Sequence, residues 1–138
     1  MFRVVYVSSA SELFSKDELI GLLKQAQSKN EGLGISGILL YKEGDFIQLL
    51  EGEESEVKSL MARIKQDPRH SNTIVLIEEA CDTRLFPEWS MSFRDLPDPE
   101  LAAMRGYSSI LNSASLANEL ANHPDAAMQL IYLFASRR

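Results

Sequence analysis

The chain has 138 residues, 45% hydrophobic and 25% charged, the size and make-up of one water-facing domain with its own core. Its net charge is −6 with Lys and Arg scattered, which argues against direct nucleic-acid binding, since phosphate neutralisation needs a basic face. A single cysteine, Cys81, excludes an internal disulfide or a cysteine-built metal site, and no apolar run approaches the roughly 20 residues of a membrane span.

The first stretch, FRVVYVS (residues 2–8), is β-branched and aromatic. It reads as a strand and not as a leader segment, so the expected compartment is the cytoplasm. Ser15 stands as a helix N-cap, with Glu18 three positions on as its capping-box partner. Leu19, Leu22, Leu23 and Ala26 then recur at helical spacing, which predicts a helix over 16–29. Asn30 to Gly34 (NEGLG) is a stop and a turn. GISGILLY (34–41) predicts a second strand, Lys42-Glu43-Gly44-Asp45 a hairpin turn, and Phe46 to Leu50 a third strand. Residues 54–66 predict a second amphipathic helix, with Val57, Leu60, Met61 and Ile64 inward and Asp67-Pro68 as its end. Thr73 to Ile77 predicts a fourth strand and Trp89 to Phe93 a fifth.

The order β-α-β-β-α-β plus one more strand is that of an α+β, ferredoxin-like fold, in which two crossovers share one sheet. Right-handed crossovers put strands one and three side by side at the sheet centre and both helices on one face. Leu96-Pro97-Asp98-Pro99 reads as a linker, so a unit over residues 1–96 is followed by an extension over 97–138. The extension is rich in Ala, Leu and Ser and predicts two or three short helices, with Ala127, Leu130, Ile131 and Phe134 forming a stripe. About 40 residues are too few for an independent core, so this tail is expected to dock on the sheet or on another subunit.

A central strand covered on both faces should be continuously apolar, and Gln48 breaks that rule. Burying an amide without a partner costs about 1–3 kcal/mol, so something must meet it. Alternation puts Phe46, Gln48 and Leu50 on one face, and Phe2, Val4, Tyr6 and Ser8 on one face of the first strand. If those faces coincide, the Tyr6 hydroxyl reaches the Gln48 amide. Two readings stand: a structural Tyr–Gln bond inside the core, or a polar pair lining a cofactor pocket between sheet and helices. Asn30 by itself is a helix C-cap, although its place also puts it at the rim of the helix–sheet gap. Asp67, Arg69 and His70, in DPRH, read as a solvated turn. Trp89 and Met91, in WSM, read as core on the fifth strand. No Ser–His–Asp layout, metal-spaced His/Asp set or phosphate loop is visible, and Gly32-Leu33-Gly34 is too short for a dinucleotide fingerprint, so neither an enzyme nor a metal site is expected.

Taken together, VVYVS (Val4 to Ser8), Asn30 followed by GISGILLY (Gly34 to Tyr41), FIQLLEG (Phe46 to Gly52), RIKQDPRH (Arg63 to His70) and RLFPEWSM (Arg84 to Met91) resemble the BLUF domain. These are the sensors of blue light using flavin, and the match runs from Arg3 to about Asp95. Each piece is weak alone, whereas five in the right order on matching elements are specific. The resemblance implies a photoreceptor without enzymatic turnover that holds FAD, or FMN, non-covalently. Tyr6 resembles the family's photoactive tyrosine and Gln48 its switching glutamine. Light then draws an electron from Tyr6 and a proton by way of Gln48, whose hydrogen bonds to the flavin rearrange. Asn30 resembles the asparagine that holds the flavin ring carbonyl and ring NH. Ile35 and Phe46 would pack along the ring; Arg63, Asp67, Arg69 and His70 would lie near the ribityl chain and phosphates. Lys29, at a position that varies, could reach the phosphate, and Ser36 stands where Thr is common. Trp89 and Met91 would be the signalling pair beside the pocket. Output would pass through the fifth strand and the C-terminal helices to a downstream protein partner or a homo-oligomer. The rival from another class is a non-photoactive ferredoxin-like interaction or dimerisation module, which would purify colourless.

Overall fold

A computed structural model describes residues 1–10, 15–42, 44–68, 70–88, 90–94 and 125–136. Along the chain run β1 (Phe2–Ala10), α1 (Lys16–Gly32), β2 (Ser36–Lys42), β3 (Asp45–Gly52), α2 (Glu54–Gln66), β4 (His70–Ala80), β5 (Ser90–Arg94) and α3 (Ala126–Ser136). This is the expected α+β, ferredoxin-like order with a fifth strand. Arg69, Trp89 and the stretch 95–124, which holds the expected linker and most of the extension, lie outside the described residues, as do the side chains of His70 and Met91.

Local chemistry sets the helix ends. Ser15 caps α1: its hydroxyl accepts from the Glu18 N–H at 3.2 Å, and the Glu18 carboxylate accepts from the Ser15 N–H at 3.1 Å. This reciprocal pair satisfies two of the donors that every helix start leaves open. The other end runs on to Gly32 because it closes with a Schellman turn. Gly34 takes φ +70°, its N–H donates to the Glu31 carbonyl at 3.1 Å, and the Ile35 N–H reaches back to the Asn30 carbonyl at 2.9 Å. Asn30 is thereby fixed one turn before the helix ends, and Leu33 takes the C-cap place that the sequence offered to Asn30.

The sheet order is β4-β1-β3-β2-β5, with β1 and β3 adjacent as the crossovers require. Neighbours are antiparallel except β2 and β5, which run parallel with Ile38 opposite Ser90. The backbones of β2 and β3 approach so closely at Gly37 that a Cβ there would stand 1.7 Å from the Leu49 carbonyl oxygen. No other residue fits that position.

Both faces of the sheet are covered. On one, Val4, Tyr6, Phe46 and Leu50 pack against Leu19 and Leu23 of α1 and Val57 and Met61 of α2. On the other, Val5, Ile38, Ile47 and Leu49 pack against Ala127, Ile131 and Phe134 of α3. The C-terminal stripe therefore docks on the sheet of its own chain. β3 is buried from Phe46 to Gly52, so Gln48 does sit in a doubly covered strand. Only β4 departs much from its expected bounds, growing from 73–77 to His70–Ala80. It is an edge strand whose residues alternate between half-buried and exposed, and its length follows its ladder with β1 rather than its own apolar run.

Candidate functional site

The register of β1 and β3 sets Tyr6 directly across from Gln48. Both side chains point to the α1/α2 side and are buried. The Tyr6 hydroxyl donates to Gln48 Oε1, which leaves the two N–H donors of the amide for a ligand. Burial, and after it the nearby charge of Asp67, push the Tyr6 phenol well above its ordinary ionisation range. The pair is neutral, close and enclosed.

A cleft opens over this pair between the sheet and the two helices, with about 710 Å³ of atom-free space when its mouth is counted. Leu22 and Ala26 of α1 form one wall, Leu60 and Ile64 of α2 the other, and Leu39 and Phe46 part of the floor. Gln25, Lys29 and Asn30 of α1 and Arg63 and Asp67 of α2 complete the lining. Lys29 and Arg63 are exposed, which puts two cations at the rim.

Asn30 is 2% exposed, and its Nδ2 has no hydrogen-bond partner among the described residues. Such an orphaned donor costs about 1–3 kcal/mol, a penalty that a ligand carbonyl in the cleft would remove. The donors therefore fit a flavin: apolar walls for the ring faces, Asn30 and Gln48 for a carbonyl-bearing edge, and Lys29 and Arg63 for a phosphate at the mouth.

Of the residues singled out in the sequence, Tyr6, Lys29, Asn30, Phe46, Gln48, Arg63 and Asp67 line this one cleft. Ile35 does not. It follows the Schellman turn and is buried in the apolar layer beside Gly52, off the cleft wall. Arg69 and Trp89, and the side chains of His70 and Met91, lie outside the described residues. Leu22, Ala26, Leu60 and Ile64 carry a helical spacing that reads simply as core, because an apolar stripe facing a ligand has the same pattern as one facing a sheet.

A second polar cluster gave no signal in the sequence. At the end of β3, Glu51 is fully buried and accepts from Arg3 Nε at 2.8 Å and from the N–H groups of Leu85 and Phe86 at 2.8 and 3.0 Å. Arg84 donates to Ser36 Oγ at 2.6 Å and to the carbonyls of Glu51 and Gly34 at 3.0 and 2.9 Å. Among the described residues no group of His, Cys, Asp and Glu is placed to hold a metal ion, and no helix is long and apolar enough to cross a membrane.

Fold and cleft together define a class: an α+β domain that holds an apolar-faced ligand with a hydrogen-bonding edge under two helices. Comparison with known proteins narrows it. The profile of the family described as "BLUF: Sensors of blue-light using FAD" matches residues 1–92. Photoactivated adenylate cyclase subunit alpha of Euglena gracilis is 35% identical over 91 residues, which is 64% of this chain and 9% of that protein. The blue light- and temperature-regulated antirepressor BluF of Escherichia coli (strain K12) is 39% identical over 71 residues, 51% of this chain and 18% of that one. Among solved structures, the BLUF protein BlrB in its dark state superposes with a TM-score of 0.68 at 26% identity, covering 98% of this chain and 95% of its own. Klebsiella pneumoniae BlrP1 with FMN and cyclic diGMP gives 0.73 at 28% identity, over 98% of this chain and 34% of that one. The chain belongs to the BLUF family, the flavin-based sensors of blue light.

Proposed function

We propose that this chain senses blue light through a flavin held in the α1/α2 cleft, and that Tyr6 and Gln48 convert absorption into a changed hydrogen-bond pattern. The observation that carries the reading is the buried Tyr6–Gln48 pair at the floor of a cleft beside an orphaned Asn30 donor. When bound, the flavin supplies the light absorption and an oxidising excited state. Tyr6 gives up an electron and a proton; its neutral phenol, kept from ionising by burial, is suited to lose both together. Gln48 relays the proton, because its amide can accept from the phenol on one side and donate on the other. The electron and the proton then return to Tyr6, and the amide, its bonds shifted, is the part that stays changed.

Asn30 holds a ring carbonyl, Phe46 packs along the ring, and Lys29, Arg63 and Asp67 lie toward the ribityl and phosphate end, with Arg69 and His70 assigned there as well. Either FAD or FMN satisfies these contacts, since among the described residues nothing in the cleft reads an adenine; the family description names FAD and the BlrP1 structure contains FMN. Residues 1–96 form the sensory unit and residues 97–138 its output extension, with Trp89 and Met91 on or beside β5 as transmitters. Turnover is not assigned to this chain. The similar cyclases and antirepressor suggest that such a unit works through an attached domain or a protein partner, and assembly of several copies is the other route.

The test is a light-minus-dark absorption spectrum of the flavin-loaded protein. The wild type should show a small, reversible red shift. Gln48→Leu should keep the flavin and lose the shift; a normal shift in that variant removes Gln48 from the mechanism.

A further inference from the structure

Between β4 and β5 the chain passes from one edge of the sheet to the other, past β1, β3 and β2. Residues 83–86 of this strap lie outside any strand, yet side chains from the sheet hold them. Arg3 of β1 donates to the Thr83 carbonyl at 3.0 Å, while Glu51 of β3 accepts from the N–H groups of Leu85 and Phe86. A buried carboxylate is tolerable only when its oxygens meet donors, and among the described residues two of the three donors to Glu51 are the strap's own backbone. Held this way, Leu85 and Phe86 pack into the layer that β3 shares with Ala127, Ile131 and Phe134 of α3.

Glu51 therefore has two attachments. It stands three residues, about 10 Å, along β3 from Gln48, on a strand bonded to β1 on one side and β2 on the other. Its side chain also leaves the sheet on the opposite face, where it fixes Leu85 and Phe86, which pack against the same apolar cluster as α3.

We propose that Glu51 is the positioning residue through which a rearrangement at Gln48 reaches α3. Strand β3 moves as one piece, and the bonds Glu51 makes oblige Leu85 and Phe86 to follow it. The proposal rests on the photosensory reading of Tyr6 and Gln48. It differs from transmission through β5, because it runs through β3 and through residues 85 and 86 of the strap, ahead of β5.

The experiment is hydrogen exchange of the flavin-loaded full chain in darkness and under blue light, with the absorption difference recorded on the same samples. Glu51→Gln keeps the side-chain shape but turns one acceptor oxygen into a donor facing other donors. Expected are a normal red shift, faster dark exchange at residues 85 and 86, and loss of the light-minus-dark exchange difference at residues 126–136. A wild-type exchange difference there in Glu51→Gln, with a normal red shift, overturns the proposal and leaves the photosensory reading intact. So does a wild type that shifts its spectrum without any exchange difference in α3. A wild type with no red shift instead overturns the photosensory reading and the proposal with it. Should Glu51→Gln not fold, Phe86→Ala keeps every bond to Glu51 and removes the ring from the apolar cluster that α3 shares. The same loss is expected there, and an unchanged light response of α3 refutes the coupling.

Discussion

Asn30→Ala separates a ligand-facing amide from a structural one. The backbone carbonyl of Asn30 accepts from Ile35 in the Schellman turn, and alanine keeps that bond. What is lost is an Nδ2 donor that is buried without a partner among the described residues. A ligand carbonyl that satisfies it recovers about 1–3 kcal/mol, so the variant should bind flavin roughly 5- to 150-fold more weakly. In flavin-free protein the sign reverses. The orphan disappears and alanine is the better helix former by about 0.5 kcal/mol, so stability should hold or rise. The assays are titration of flavin fluorescence with FAD and with FMN, and urea unfolding of the flavin-free protein. Unchanged affinity together with a clear loss of flavin-free stability would refute the reasoning, because the amide would then be bonded within the fold.

Two further outcomes follow from the same geometry. Tyr6 ionises in the unfolded chain near its ordinary value of 10.0 and in the folded protein only well above it. Its contribution to stability is therefore complete below about pH 10 and is lost as the pH climbs through the folded value. The red shift should accordingly survive at about pH 10, and its loss with a midpoint below that pH would show that burial does not hold the phenol neutral. Gly37→Ala sets a Cβ 1.7 Å from the Leu49 carbonyl oxygen, a backbone atom that cannot step aside. The variant should lose more than about 4 kcal/mol or fail to fold, and a soluble variant melting near the wild-type temperature would rule out so close an approach of β2 to β3.

What could be read from the sequence was what local chemistry decides. The capping box at Ser15 and Glu18 fixes the start of α1 within four residues of chain. The stripe of α2 carried its full extent, Glu54–Gln66. Gln48 was visible because it contradicts its own strand. The reach of β4 was not, because an edge strand is extended by the partner it pairs with, and Glu78 and Glu79 hide that in the residue pattern. Neither was the cluster around Glu51, whose partners Arg3 and Leu85 come from opposite ends of the stretch that matches the family and meet only when the sheet forms. Ile35 is likewise placed by the turn before it. Its apolar character and its place after Asn30 suit a ring contact, but the Schellman turn carries it to the far end of β3 beside Gly52.

β3 bears a polar group on each face, and the two call for different explanations. Glu51 answers a structural need: a connection that crosses the sheet without a strand partner must satisfy its backbone N–H groups, and a buried carboxylate does so for two of them. Gln48 answers none. An apolar pair of the same shape in place of Tyr6 and Gln48 would leave the ladder intact, and exchanging both members of a buried hydrogen bond is often neutral or stabilising. The fold would stand as well without the phenol and the amide. Their joint presence at the floor of a cleft, beside a third amide with no partner among the described residues, is a property of the site and not of the sheet.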